Sequence, residues 1–188
     1  MQSVNTAPLR PLLFCDLDDV LCLNKPFGVT HVRDALYRPA EAPPYLWRLL
    51  FSNEAFSALI ELLKAHEPQV VITSSWLSLL DRHHFVEVFT RTGLELLATN
   101  LHDHWDAPTK YGESRLEAID AWLEAHHVGE PVLILDDYAS GESLIDSFHH
   151  EAGRALLCRA GKGFHSGMLA DANSALQTRY SRVEPWKP

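Results

Sequence analysis

The chain has few cysteines: three in 188 residues, Cys15, Cys22 and Cys158, with no CxxC spacing. That odd, sparse set fits reduced thiols in a cytoplasmic protein better than a disulfide framework. Long hydrophobic runs are also missing. No apolar stretch approaches the ~18 residues needed to span a bilayer, and residues 1–8 carry neither a charged leader nor a long apolar core, so no signal peptide and no membrane association are expected. Internal repeats and low-complexity tracts are lacking, which excludes a solenoid and leaves one domain with room for a substantial core. Positive charge is short too: 16 Lys and Arg against 25 Asp and Glu, a net of −9, which disfavours broad electrostatic binding to nucleic acid. The deficit is uneven. From residue 154 onward there are six basic and two acidic residues, a net of +4, so the preceding 153 residues carry −13.

What is present is an alternation of strand-like and helix-like segments. Leu12-Leu13-Phe14-Cys15, Gln69 to Thr73, Pro131 to Leu135 and Ala155 to Cys158 read as buried strands, with a shorter one over Leu94 to Ala98. Amphipathic segments predict helices over Glu54 to His66 with Asn53 as cap, Leu77 to Thr92 stopping at Gly93, Ser114 to His127, Gly141 to His150, and Met168 to Thr178. Pro26, Pro39, Pro43 and Pro44, with Pro11 before the first strand, predict loops and a short hairpin over Leu23 to Leu50; Thr99 to Gly112 reads as polar and irregular. Near-continuous apolar strands separated by helices predict a three-layer α/β fold on a parallel sheet. The expected layout is an N-terminal tail over 1–10, a catalytic domain over 11–178 and a C-terminal tail over 179–188.

In such open sheets ligands bind at the carboxyl ends of the strands. Here those ends carry Asp16 and Asp18, then Thr73-Ser74-Ser75, then Asp136-Asp137. Carboxylates packed together beside an apolar core repel one another. A hard divalent cation reverses that penalty, because oxygen ligands are what Mg²⁺ takes. Three strands thus direct one kind of chemistry to one edge.

The segments Leu13-Phe14-Cys15-Asp16-Leu17-Asp18-Asp19-Val20-Leu21, Val70-Val71-Ile72-Thr73 and Leu133-Ile134-Leu135-Asp136-Asp137, in this order, resemble the signatures of the haloacid dehalogenase-like (HAD) superfamily. Ile72-Thr73-Ser74-Ser75-Trp76, Ile119-Asp120-Ala121-Trp122-Leu123, Leu135-Asp136-Asp137 and Gly163-Phe164 resemble one subgroup, the HAD domain of multi-module RNA-repair (Swiss Army Knife) proteins. The resemblance implies a Rossmann-like fold and a Mg²⁺-dependent phosphatase with these roles. Asp16 is the nucleophile that forms an aspartyl-phosphate, and Asp18 is the acid and base. Thr73, or Ser74 if the strand runs one residue longer, binds the phosphoryl group with Ser75. For the basic third signature two residues stand open: Lys110 has the usual side chain and Arg115 the better spacing, with Lys110 preferred. Asp16, Asp136 and the main-chain carbonyl of Asp18 hold Mg²⁺; Asp137 is a second ligand, a water-mediated one, or a group orienting Lys110.

Subtracting one helix from the gap between Asp18 and the second strand leaves roughly 25–30 proline-rich residues, room for a small flap rather than a lid. An open site admits a bulky substrate such as a nucleic-acid (RNA) end or a phosphoprotein, which Arg33, Arg38, Arg48 and Tyr37 or Tyr45 would contact; the acidic overall charge points instead to a small metabolite or nucleotide. A non-catalytic binding module would not need Asp18. No obligate protein partner is expected. Adjacent histidine pairs such as His83-His84 point about 100° apart on a helix and do not suggest zinc; His102-Asp103-His104 lacks a third ligand. Trp76, next to the phosphate loop, is expected in the core or at the site's border.

Overall fold

The computed structural model describes residues 9–180. In chain order the elements are β1 (Leu12–Cys15), α1 (Val29–Tyr37), α2 (Leu46–Leu49), α3 (Asn53–His66), β2 (Gln69–Ile72), α4 (Arg82–Thr92), α5 (Glu95–Thr99), β3 (Leu101–Asp106), α6 (Arg115–His126), β4 (Val132–Asp137), α7 (Phe148–Glu151), β5 (Ala155–Cys158) and α8 (Leu169–Gln177). Five strands form one sheet in the order β3-β2-β1-β4-β5, every neighbouring pair parallel. This is the expected Rossmann-like α/β arrangement. The order reverses at β1, which lies between β2 and β4, so a crevice opens at the carboxyl ends of β1 and β4.

Alternation along the strands sends side chains to two cores. Leu13, Cys15, Val70, Ile72, Leu133 and Leu135 face the larger one, against α1, α3, α4, α5 and α8. Leu12, Phe14, Val71, Val132 and Ile134 face the smaller one, closed mainly by Ile119, Trp122 and Leu123 of α6. The Phe14 and Trp122 rings meet edge to face at 5.1 Å, and the Trp122 indole donates to the His104 carbonyl at 2.9 Å.

Four elements depart from expectation. The segment 94–98 belongs to helix α5, because Leu94 and Leu97 are buried at helical spacing. The strand instead falls in the polar stretch, as β3: it is an edge strand whose residues are mostly half-buried or exposed, so it lacks an apolar run. The stretch 23–50 is helical rather than a hairpin, since Pro26 and Pro39 flank a proline-free interval long enough for α1, which buries Val32 and Ala35. Residues 141–150 form a 3₁₀ turn (Glu142–Leu144) and the short α7, separately capped by Ser147, in place of one helix. Two boundaries also move: Ser52 rather than Asn53 caps α3, and the segment after β2 begins with a 3₁₀ turn (Ser75–Ser78) before Asp81 caps α4. At the C-terminus, Arg179 bridges Pro131 and Tyr180 is buried, so packed structure runs past residue 178; the rest of the expected tail, like residues 1–8 of the N-terminal one, lies outside the described residues.

Candidate active site

The strand register brings the acids together. β1 and β4 pair from Leu12↔Val132 through Cys15↔Leu135, so Asp16 and Asp136 leave the sheet side by side, and the Asp16 amide donates to the Leu135 carbonyl at 2.9 Å. One carboxylate oxygen each from Asp16, Asp136 and Asp137 lies within 4.8 Å of the others, and all three residues are buried. Burial, and then the Asp136 charge, push the Asp16 carboxyl well above the usual carboxylate range, against the opposing pull of Arg115. Burial likewise pushes Asp136 up to about 6, with Arg115 opposing.

Arg115 is the cation in this cluster. Its Nε lies 3.0 Å from Asp136 Oδ2 and its guanidinium 3.9 Å from Asp16 Oδ2, with the side chain almost fully buried. The start of α6 holds it there. Ser114 Oγ accepts from the Glu117 amide, Glu117 returns a carboxylate to the Ser114 amide at 2.8 Å, and the Leu116 amide donates to Ser143 Oγ at 3.1 Å. Lys110, the preferred residue for this role, is exposed in the loop after β3, its backbone amide bound to Glu113. Lys110 has no ion pair with these carboxylates among the described residues, whereas Arg115, the first residue of a capped helix, lies against two of them. Arg115 therefore takes the position expected of Lys110.

Three carboxylates and one guanidinium leave an excess of negative charge, and the polar atoms around it are unsatisfied. Asp136 Oδ2 and Arg115 Nε have only their 3.0 Å ion pair, and both Asp16 oxygens, Asp137 Oδ2 and Thr73 Oγ1 are buried with no hydrogen-bond partner among the described residues. The remaining carboxylate oxygens are used locally: Asp136 Oδ1 accepts from the Asp137 amide, and Asp137 Oδ1 accepts from the Ala139 and Ser140 amides at 2.7 and 3.1 Å. Native structures rarely leave buried polar atoms unpaired. Orphaned oxygens of Asp16 and Asp137, with the Asp136 carboxylate between them in one cluster, match the donor set of a hard divalent cation, and the orphaned Thr73 hydroxyl matches a ligand carrying acceptor oxygens. The site's residues thus fit the metal that the sequence implies.

Asp18 stands apart from that cluster, half-buried, with Oδ1 accepting from Asn24 Nδ2 and Oδ2 from Ser75 Oγ, each at 3.1 Å. Ser75, expected to bind substrate, thus holds Asp18; Asn24, which sequence reasoning did not single out, does the same from the start of the insert. Ser74 is buried and caps the following 3₁₀ turn by accepting from the Trp76 amide. Trp76 is fully buried against Phe51, 6.4 Å between rings, and belongs to the core. Of the insert cations, Arg33 pairs with Asp34, Arg38 with Glu41, and Arg48 lies over the Tyr45 ring. The His104 and His126 rings stack in parallel at 3.8 Å, so their nitrogens do not converge as metal ligands. No helix among the described residues is long and apolar enough to cross a membrane.

A family model described as the HAD domain in Swiss Army Knife RNA repair proteins matches residues 12–167. Comparisons with curated proteins and with solved structures found no match.

Proposed function

Because the chain belongs to the family of the HAD domain in Swiss Army Knife RNA repair proteins, which supports a hydrolase of the HAD superfamily, we propose that it is a Mg²⁺-dependent phosphatase of phosphate monoesters at nucleic-acid ends. The observation that carries this reading is the buried trio Asp16, Asp136 and Asp137, whose carboxylate oxygens converge at the strand ends where the Thr73 hydroxyl is left without a partner.

Asp16, Asp136 and the Asp18 main-chain carbonyl would hold the cation, with Asp137 as a further ligand. When bound, the cation withdraws charge from the phosphoryl oxygens and fixes them for in-line attack. Asp16 attacks phosphorus, forming an Asp16 O–P bond as the ester P–O bond breaks. Asp18, protonated, gives its proton to the leaving oxygen; as carboxylate it then takes one from the water that attacks phosphorus, which releases phosphate and restores Asp16. Thr73 donates to a phosphoryl oxygen, and Arg115 offsets charge at the carboxylates and on the phosphoryl group. A reducing, cytoplasmic setting belongs to the same reading, supported by three buried free thiols.

Nucleic-acid ends are favoured because the insert contributes only one full helix and two short turns, a small flap over an otherwise open edge. The test is a hydrolysis screen with and without Mg²⁺, comparing 3′- and 5′-phosphorylated oligonucleotides with nucleotides, sugar phosphates and an aryl phosphate. Metal-dependent turnover is expected, with kcat/KM highest on one oligonucleotide end. No metal-dependent hydrolysis of any of them, the aryl ester included, would refute the phosphatase. Preference for a sugar phosphate or free nucleotide would refute the choice of substrate.

A further inference from the structure

A cleft of about 410 Å³ opens at the carboxyl edge beside the phosphate loop, a size ordinary for small-molecule sites. Its walls come from Tyr37 at the end of α1, the segment 77–81 after β2, His84 of α4, and Trp105, Asp106 and Pro108 where β3 ends. Two links tie its walls to the elements that carry the catalytic candidates. Ser78 Oγ donates to the Ser75 carbonyl at 2.8 Å, and Ser75 holds Asp18. Asp106 is in register with Ile72, which immediately precedes Thr73. Two strand spacings, roughly 10 Å, separate β3 from the strand that delivers Asp16.

The cleft's chemistry is selective. Tyr37 is 65% exposed, its ring 5.5 Å from that of His84, and Trp105 backs the opposite wall against Phe85 at 5.4 Å. Flat aromatic surface of this kind suits a planar ring. The acids there are Asp81, which caps α4 and pairs with His84, and Asp106, whose carboxylate has no hydrogen bond or ion pair among the described residues. Carboxylates repel a phosphate and accept hydrogen bonds from hydroxyl and amino groups. Among the described residues no Lys or Arg lines the cleft, and its one basic side chain, His84, is paired with Asp81; Arg82 next to Asp81 and Lys110 two residues past Pro108 are exposed and have no ion pair. The pattern is an uncharged, donor-bearing, planar group inside and an anion at the rim. We propose that this cleft seats the terminal nucleoside of a nucleic-acid strand, its base against Tyr37 and its donor groups on Asp106, with the adjoining phosphodiester at Lys110 and Arg82. The placement of the terminal phosphate at Asp16 rests on the phosphatase reading.

The probe is a short fluorescent single-stranded RNA ending in a 3′-hydroxyl, which offers no monoester to cleave, titrated with the full chain in Mg²⁺ and followed by anisotropy. Base stacking on one aromatic predicts about tenfold weaker binding for Tyr37→Ala and Tyr37→Leu, and near wild-type binding for Tyr37→Phe. Tyr45→Asn removes an equally exposed tyrosine of the same insert, outside the cleft, and is expected to bind as wild type does. Lys110→Ala and Arg82→Ala should each lower the slope of log Kd against log salt by about 0.7. Tyr37→Ala and Tyr37→Leu within twofold of wild type, an equal loss in Tyr45→Asn, or no wild-type binding up to about 1 mM overturns the assignment. Aryl phosphate hydrolysis in parallel tests the phosphatase separately: its absence with a Tyr37-specific loss of RNA binding sinks that reading and leaves the cleft standing.

Discussion

Asp16 and Arg115 carry the largest individual consequences. Asp16 is buried against Asp136, whose charge pushes its carboxyl up, so removing the Asp16 charge removes both the nucleophile and a repulsion. Asp16→Asn is expected to lose at least about 10³-fold in kcat while raising the melting temperature of the metal-free protein. A melting temperature lower than wild type in EDTA would show that the cluster is not repulsive. Arg115→Ala should do the reverse to stability: it strips the one cation from the buried acids, a change that costs about 3–5 kcal/mol for a buried pair, and it should lower kcat about 100-fold or more. Both are read from thermal melts in EDTA and steady-state rates in Mg²⁺. At this scale the acids were legible in the sequence because each stands directly at the end of an apolar run. Arg115 against Lys110 was not, since the choice depends on where α6 starts relative to the strand ends, and neither spacing nor side-chain identity reports that. Asn24 gave no signal at all: its contact with Asp18 exists only because the chain turns back at residues 19–24, where Asp19 and Asn24 adopt positive φ.

Among the elements, the start of α6 matters most, because it sets the position of Arg115. Ser114→Ala removes the cap that closes the box with Glu117 and should cost about 1 kcal/mol, a fall of about 2–4 °C in a chain of this size. Its activity should fall by a larger factor than that loss of stability explains, and the cap-competent Ser114→Asp should recover most of both. Equal activity in Ser114→Ala and wild type at a temperature where both are folded would show that the cap does not position Arg115. The strands β1, β2 and β4, and the buried edge strand β5, were readable as apolar runs, and α3, α6 and α8 as amphipathic ones. β3 was not, because an edge strand of the composition Leu-His-Asp-His-Trp-Asp has few apolar residues to show, and its apolar neighbour over 94–98 attracted the strand reading instead. The insert misled for a different reason: its prolines lie between helices rather than within them, so proline density marked the ends of α1 and not its absence.

On the scale of the molecule, the carboxyl edge gathers buried carboxylates whose mutual repulsion a bound cation would relieve. Asp136 sits at about 6 in the folded chain against an ordinary 3.8, so the folded state holds its proton more tightly than the unfolded one. The stability this contributes is complete below about pH 4 and is lost as pH rises through about 6. In EDTA the melting temperature of wild type minus that of Asp136→Asn should therefore fall between pH 4 and pH 7. Mg²⁺ at pH 7 should raise wild type and leave Asp136→Asn nearly unmoved, since a ligand stabilises only the state that binds it. A difference independent of pH would mean that Asp136 is not held in the environment described.

The central claim is that Asp16 is a nucleophile that carries the phosphoryl group. It is tested most directly by acid-quenching the protein during turnover of an aryl phosphate in Mg²⁺ and mapping phosphorylated peptides by mass spectrometry. An aryl leaving group needs little help from an acid, whereas hydrolysis of the acyl phosphate needs the base, so Asp18→Asn should accumulate the intermediate. The account predicts a hydroxylamine-labile phosphoryl group on the peptide containing Asp16 in Asp18→Asn, and none in Asp16→Asn. Turnover by Asp16→Asn at the wild-type rate, or a phosphoryl group on any other residue, would contradict it.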